Sequence, residues 1–113
     1  MRKRNFRVIY VSGPYTGNVV RNVQAAVKAA DLLVECGFIP ICPHLTHLWD
    51  TISPHSYDYW MDMDLKLVEI VDAVFRLPGE SHGADMECEK ASKLGIPVYM
   101  DIQQMIDDLG IGD

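Results

Sequence analysis

A small doubly wound α/β domain, flavodoxin-like or Rossmann-like, with four or five parallel strands flanked by helices, is the fold this sequence predicts. Two observations carry the prediction. Short apolar runs rich in β-branched and aromatic residues alternate with helix-period segments from end to end. No repeat, linker or low-complexity tract interrupts that alternation, and strands separated by helices pair in parallel.

The elements follow in order. Val8-Ile9-Tyr10-Val11 breaks at Ser12-Gly13-Pro14, the pattern of a buried first strand. After the polar turn Thr16-Gly17-Asn18, the residues Val20, Val23, Val27, Ala30 and Val34 recur at helical spacing. They predict a helix that buries this stripe and is closed by Gly37, with Arg21, Gln24, Lys28, Asp31 and Glu35 on its wet face. Phe38 to Cys42 reads as a second strand, at an edge because Pro40 has no N–H for a ladder. Pro43 to Ser56 reads as irregular chain carrying His44, His47, Trp49, Asp50 and His55, and loops of such length are commonly functional. Tyr57 to Ile70 reads as a helix and residues 72–77 as a third strand. Asp85 to Leu94 is the next helix, capped by Gly95, followed by a fourth strand, Ile96 to Tyr99, and an amphipathic helix from Ile102 to Leu109.

A chain of 113 residues has the length of one domain with one sizeable core, so residues 1–113 are expected to form a single unit. No apolar run approaches the roughly 20 residues of a membrane span. The basic start, Met1 to Arg7, leads into a short strand and lacks the layout of a signal peptide. A net charge of −6 opposes broad polyanion binding, so neither nucleic acid nor membrane is expected as a partner. Cys36, Cys42 and Cys88 form an odd set without paired spacing, as in reduced thiols of a cytoplasmic protein.

Parallel strands bring their C-terminal ends to one edge of the sheet, where ligands bind. The loops Ser12–Asn18, Pro43–Ser56 and Pro78–Ala84, and the stretch after Tyr99, should gather there. Ser12, Gly13, Tyr15, His44, Ser81 and Gly83 are the candidates for substrate contact in those loops. The first loop lacks the Gly-Lys-Ser/Thr ending of a phosphate loop and the triple-glycine dinucleotide pattern, and no serine is framed as a nucleophile elbow. Cys42, His44, His47 and His55 can be read as a metal set that opens with a Cys-x-His-x-x-His spacing, but structural zinc sites more often use two well-spaced ligand pairs. No metal and no cofactor is expected.

The stretch Ser81-His82-Gly83-Ala84-Asp85-Met86-Glu87 carries the most information. A small-residue loop opens a helix and delivers Glu87 to its first turn, where free N–H groups attract anions; the plain alternative is an acid favoured by the helix dipole. Asp64 shares a helix face with Trp60, Leu67 and Val68, and a carboxylate there is costly unless paired or used. The alternative for Asp64 is a surface acid at the stripe's margin. Paired acids suit cleavage at an acetal carbon such as the anomeric carbon of a nucleoside.

Tyr10-x-x-Gly13, Asp64-Leu65, Asp72 and Ser81-x-Gly83-x-x-x-Glu87 together resemble the nucleoside 2-deoxyribosyltransferase superfamily, which includes the 2′-deoxynucleoside 5′-phosphate N-hydrolases. Ser-Gly-Pro-Tyr-Thr, Pro-His-Leu and Leu-Pro-Gly-Glu-Ser resemble a branch of small, mostly uncharacterised members, over roughly residues 7–101. The resemblance implies that Glu87 is the nucleophile, that Asp64 assists the leaving base or holds the sugar, and that Tyr10 positions nucleophile and sugar. Ser81 and Gly83 fall where the monophosphate hydrolases hold phosphate. Those hydrolases place a serine and an arginine in the first loop, whereas this chain has Pro14 and Thr16, leaving His82 or Arg76 to compensate. Trp49, Tyr15 and Trp60 are candidates for base stacking. Relatives share pockets between subunits, which together with Met61, Met63 and Trp60 as apolar surface implies a homo-oligomer, a dimer or tetramer.

The expected function is cleavage or transfer at the N-glycosidic bond of a (deoxy)nucleoside or nucleoside 5′-monophosphate. The alternative is a non-catalytic module that binds a nucleotide or nucleoside derivative, which would tolerate Gln at position 87 where an enzyme would not.

Overall fold

The computed structural model describes residues 4–110; the first three residues of the basic start lie outside the described residues. Four strands, β1 (Val8–Ser12), β2 (Ile39–Ile41), β3 (Ala73–Arg76) and β4 (Val98–Tyr99), form a parallel sheet in the order β2-β1-β3-β4. The helices are α1 (Val19–Glu35), α2 (Thr46–Ile52), α3 (Tyr57–Val68), α4 (His82–Lys93) and α5 (Ile102–Leu109). This is the doubly wound class, and Pro40 lies on an edge strand as its missing N–H requires.

Alternation along β1 divides the interior in two. Ile9 and Val11 face one side and pack with Ala26, Ala29 and Leu33 of α1, Phe38, and Met105 of α5. Tyr10 faces the other side and packs with Val68, Val71, Val74 and Ala91, under α3 and α4. The strand order reverses between β1 and β3, where open α/β sheets leave a crevice at the carboxyl ends of their strands.

Helix α1 starts at Asn18, whose side chain accepts from the Arg21 N–H, and ends in a Schellman motif. Gly37, at φ +90°, donates to Val34, and Phe38 donates to Leu33. The stripe expected to be buried meets the sheet only at its margin, where Val23 and Ala30 are half-buried. Val20, Val27 and Val34 are exposed, and Ala26, Ala29 and Leu33 are buried in their place. The C-terminal motif brings Phe38 and Leu33 into the same core, and this sets the rotation of the helix.

Other boundaries also moved. The stretch expected to be irregular contains a 3₁₀ turn, Pro43–Leu45, and α2, which begins without a side-chain cap. Helix α4 begins at His82, with Ser81 as its N-cap accepting from the Ala84 N–H, three residues before the expected start. Gly83 is therefore helical. A Cβ there would lie 3.2 Å from both the Met61 sulfur and the Tyr57 hydroxyl, so the absence of a side chain lets α4 approach α3. Met61, expected as exposed apolar surface, is buried beneath this contact, and Trp60 and Met63 are only partly exposed.

Asp72 belongs to the opposite end of the sheet. Its carboxylate accepts the Val8 N–H at 2.7 Å and pairs with Arg4 at 3.0 Å. It ties the start of β1 to β3 and stands apart from the crevice.

Candidate active site

Glu87 is 6% exposed and lies in the second turn of α4, not the first, because the helix starts earlier than the glycine suggested. The free N–H groups of the helix start are consequently not its partners. Two hydroxyls from β1 hold it instead: Tyr10 donates to Oε2 at 2.9 Å and Ser12 donates to Oε1 at 2.7 Å. Each carboxylate oxygen retains a lone pair after accepting one bond. Burial raises the Glu87 pKa, while the Ser12 and Tyr10 hydrogen bonds and the Arg76 charge pull it back. Burial and the Glu87 charge drive the Tyr10 pKa far above its ordinary value, so Tyr10 remains a protonated donor.

Asp64 projects from α3 into the same cleft, and its pKa is raised to about 7 by burial and then by the charge of Glu87. Its Oδ1 is buried without a hydrogen-bond partner. The donors in this pair all serve Glu87, so Glu87 is the ionised member and Asp64 holds the proton near neutrality.

The cleft has a volume of about 540 Å³, and Gly13, Tyr15, His44, Asp64, Ser81, Gly83 and Glu87 all line it. Among the expected site residues, Tyr10 and Ser12 do not line it. Both are fully buried and act on Glu87 from behind. Ser12 was expected to touch substrate; as a buried strand residue bonded to Glu87 it reaches the cleft only through that carboxylate. The first three loops converge on the cleft as expected, while among the described residues none of the stretch after Tyr99 lines it.

Sequence reading missed the wall formed by Tyr57, Met61 and Thr46. Gly83 is a signal for the first two, since a glycine inside a helix marks close approach by a neighbour. Gly13 has a similar reason, because a Cβ there would fall 2.9 Å from the Leu77 Cβ.

Aromatic side chains cluster around Trp60, which lines the cleft. Trp60 donates its Nε1–H to Asp50 at 2.7 Å, the His55 N–H donates to the same oxygen at 2.9 Å, and the His55 ring stacks on Tyr59. Trp49 meets Trp60 edge to face, and Trp60 but not Trp49 lines the cleft. Tyr15 pairs with His47 Nδ1 at 2.6 Å, joining the first loop to α2.

Arg76 does not reach out to replace the missing first-loop arginine. It is 9% exposed, and its guanidinium donates to the carbonyls of Leu77 and Gly79 and to Asp85. His82 does line the cleft. The His44 and His47 rings are engaged with Pro14 and Tyr15, and no group of three His, Cys, Asp or Glu side chains among the described residues is placed to hold a metal. No helix is long and apolar enough to cross a membrane among the described residues.

Comparison with solved structures finds similarity to a 2-deoxyribosyltransferase from Bacillus psychrosaccharolyticus, characterised as a biocatalyst for the synthesis of antiviral and antitumoral nucleosides. The TM-score is 0.65 at 18% identity, covering 94% of this chain and 92% of that one, which establishes a shared fold. No curated protein matches in sequence. Residues 7–101 match the family described as "Domain of unknown function (DUF7768)", and the chain belongs to that family.

Proposed function

We propose that this protein cleaves or transfers at the N-glycosidic bond of a (deoxy)nucleoside or nucleoside 5′-monophosphate, with Glu87 as nucleophile. One observation carries the reading: a buried glutamate, clamped by two hydroxyl donors, at the base of a cleft shared with a second carboxylate that holds a proton. A structural acid needs no such arrangement, and burying it beside another acid opposes folding. The similarity in fold to a deoxyribosyltransferase supports the same reading.

The chemistry divides between the two acids. A Glu87 oxygen attacks the anomeric carbon and the bond from that carbon to the base nitrogen breaks. The bond's electron pair passes to the base, which takes a proton from Asp64. A pKa of about 7 suits Asp64 to give and recover a proton at neutral pH. Water, or a second base, then attacks the same carbon and gives its proton to Asp64, and Glu87 departs as the carboxylate. Two easier displacements replace one difficult one. Tyr10 and Ser12 keep Glu87 ionised and aimed while it is free, and stabilise it again as it leaves the ester.

The test is incubation with a panel of deoxynucleosides and their 5′-monophosphates, with free base followed by chromatography. Base release is expected to fall at least about 1,000-fold in Glu87→Gln, the scale on which nucleophile loss is felt, with the melting temperature retained. Release that persists in Glu87→Gln would refute the assignment. No release from any member, with binding that Glu87→Gln leaves unchanged, would establish a binding module instead. A second base added to the assay separates transfer from hydrolysis.

A further inference from the structure

We propose that His44 reads a hydroxyl of the substrate's sugar by accepting its hydrogen bond at Nδ1, so that the cleft selects nucleosides over their phosphate esters. This inference rests on the N-glycoside reading and narrows its substrate class.

The argument begins with a proton. His44 Nε2 lies 2.9 Å from the Pro14 carbonyl oxygen, which can only accept, so Nε2 carries the hydrogen. Burial lowers the pKa of the ring, which is 4% exposed, and outweighs the Pro14 and Gly13 backbone groups that raise it, which favours the neutral ring. Nδ1 is then a bare lone pair. It is buried, it has no partner, and its residue lines the cleft beside Asp64 and Glu87. Among the described residues only His44 Nδ1 and Asp64 Oδ1 are buried side-chain atoms left without a partner, and both belong to residues of this cleft. Buried polar groups are paired in native proteins, so two unpaired atoms on residues that line one cleft point to groups a ligand reaching them satisfies.

The ligand must bring a hydrogen to Nδ1. A sugar hydroxyl does so, whereas a phosphate monoester is largely stripped of its protons at neutral pH and meets the lone pair with another. The rest of the wall reinforces the choice. Among the described residues it contains the carboxylates of Asp50 and Glu87 and no lysine or arginine, and the nearby guanidinium of Arg76 is committed to Leu77, Gly79 and Asp85. A dianion entering this cleft meets the Asp50 and Glu87 carboxylates, and only the N–H groups at the start of α4 to oppose them.

The test has two independent readouts. In ¹⁵N-histidine spectra of the unliganded protein, His44 should show the Nε2–H tautomer, and saturation with 2′-deoxyadenosine should move Nδ1 towards hydrogen-bonded shifts. A proton found on Nδ1, or an Nδ1 resonance unmoved by saturating ligand, would overturn the proposal. Calorimetry on Glu87→Gln protein, which prevents turnover, compares 2′-deoxyadenosine with its 3′-deoxy and 5′-deoxy analogues and its 5′-monophosphate. Loss of one hydroxyl should weaken binding about tenfold, the scale of one unmade hydrogen bond to a buried group. That penalty should vanish when His44→Phe is also present, and the monophosphate should bind at least about tenfold more weakly than the nucleoside. A monophosphate that binds as tightly or more tightly, or hydroxyl losses felt equally without His44, would overturn it. Base release with a silent Nδ1 sinks the role of His44 alone. A responsive Nδ1 without base release sinks the enzyme reading and leaves His44 as a hydroxyl reader.

Discussion

Asp64→Asn probes the carboxylate pair without any substrate. In the folded chain the Asp64 pKa rises from 3.8 to about 7, first through burial and second through the Glu87 charge. A folded pKa above the unfolded one means that the folded chain binds more protons between those pH values. The stability associated with Asp64 is therefore fully present below about pH 4 and is lost as pH rises through about 7. At 1.36 kcal/mol per pH unit the shift corresponds to at most about 4 kcal/mol. The side chain is only partly buried, and solvent screening brings this to about 2 kcal/mol. For a chain of this length that is roughly 6–12 °C in melting temperature. The assay is thermal unfolding of both proteins, followed by circular dichroism, from pH 4 to pH 8. Groups remote from the pair titrate alike in the two proteins, so the difference between the curves isolates Asp64 together with its coupling to Glu87. The wild type should lose stability relative to Asp64→Asn steadily across the range and be the less stable protein at pH 8. Parallel curves would mean that Asp64 ionises freely, and the division of roles between the two acids would fail with it.

Other substitutions test the neighbouring contacts. Tyr10→Phe removes a hydroxyl that lowers the Glu87 pKa, so base release should fall more at pH 6 than at pH 8; an equal loss at both would refute the electrostatic role of Tyr10. Gly13→Ala drives a Cβ to 2.9 Å from Leu77, and should lower stability by about 1–3 kcal/mol in urea unfolding. Arg76→Met frees the Leu77 and Gly79 carbonyls, so amide exchange over residues 77–81 should accelerate while that of β1 stays protected; uniform acceleration would contradict a local role.

The limits of sequence reading show at α1. Its residues are apolar over a broad arc that holds two stripes, Val20-Val27-Val34 and Ala26-Ala29-Leu33, and adjacent residues stand only about 100° apart on a helix. Valine outweighs alanine on any hydrophobicity scale, so the wrong stripe looked like the core. Small residues let a helix lie close over the sheet, and the Phe38–Leu33 closure fixes the rotation, neither of which hydrophobicity records. The start of α4 misled for a related reason. Glycine disfavours helices, yet Gly83 sits inside α4, where a Cβ would come within 3.2 Å of Met61 and Tyr57 on α3. By contrast β1, β3 and α5 were legible to within about two residues, as strong local patterns are.

The clamp on Glu87 follows from the same alternation that builds the core. Positions 10 and 12 lie on one face of β1, about 6.6 Å apart along the strand, while Val11 between them points into the opposite core. A long tyrosine set back in the strand and a short serine at its end converge on one carboxylate from that spacing. Exchanging the two side chains would put a short hydroxyl where reach is needed and a ring where Arg76 pairs with Ser12 across the sheet. A slip of one residue in the β1–β3 register would turn both hydroxyls into the α1 core and leave the glutamate buried beside Asp64 with no donor. Register is fixed at the far end by Asp72, which takes the Val8 N–H and returns its own N–H to the Val8 carbonyl. An aspartate remote from the cleft thus holds the strand so that the hydroxyls meet the glutamate.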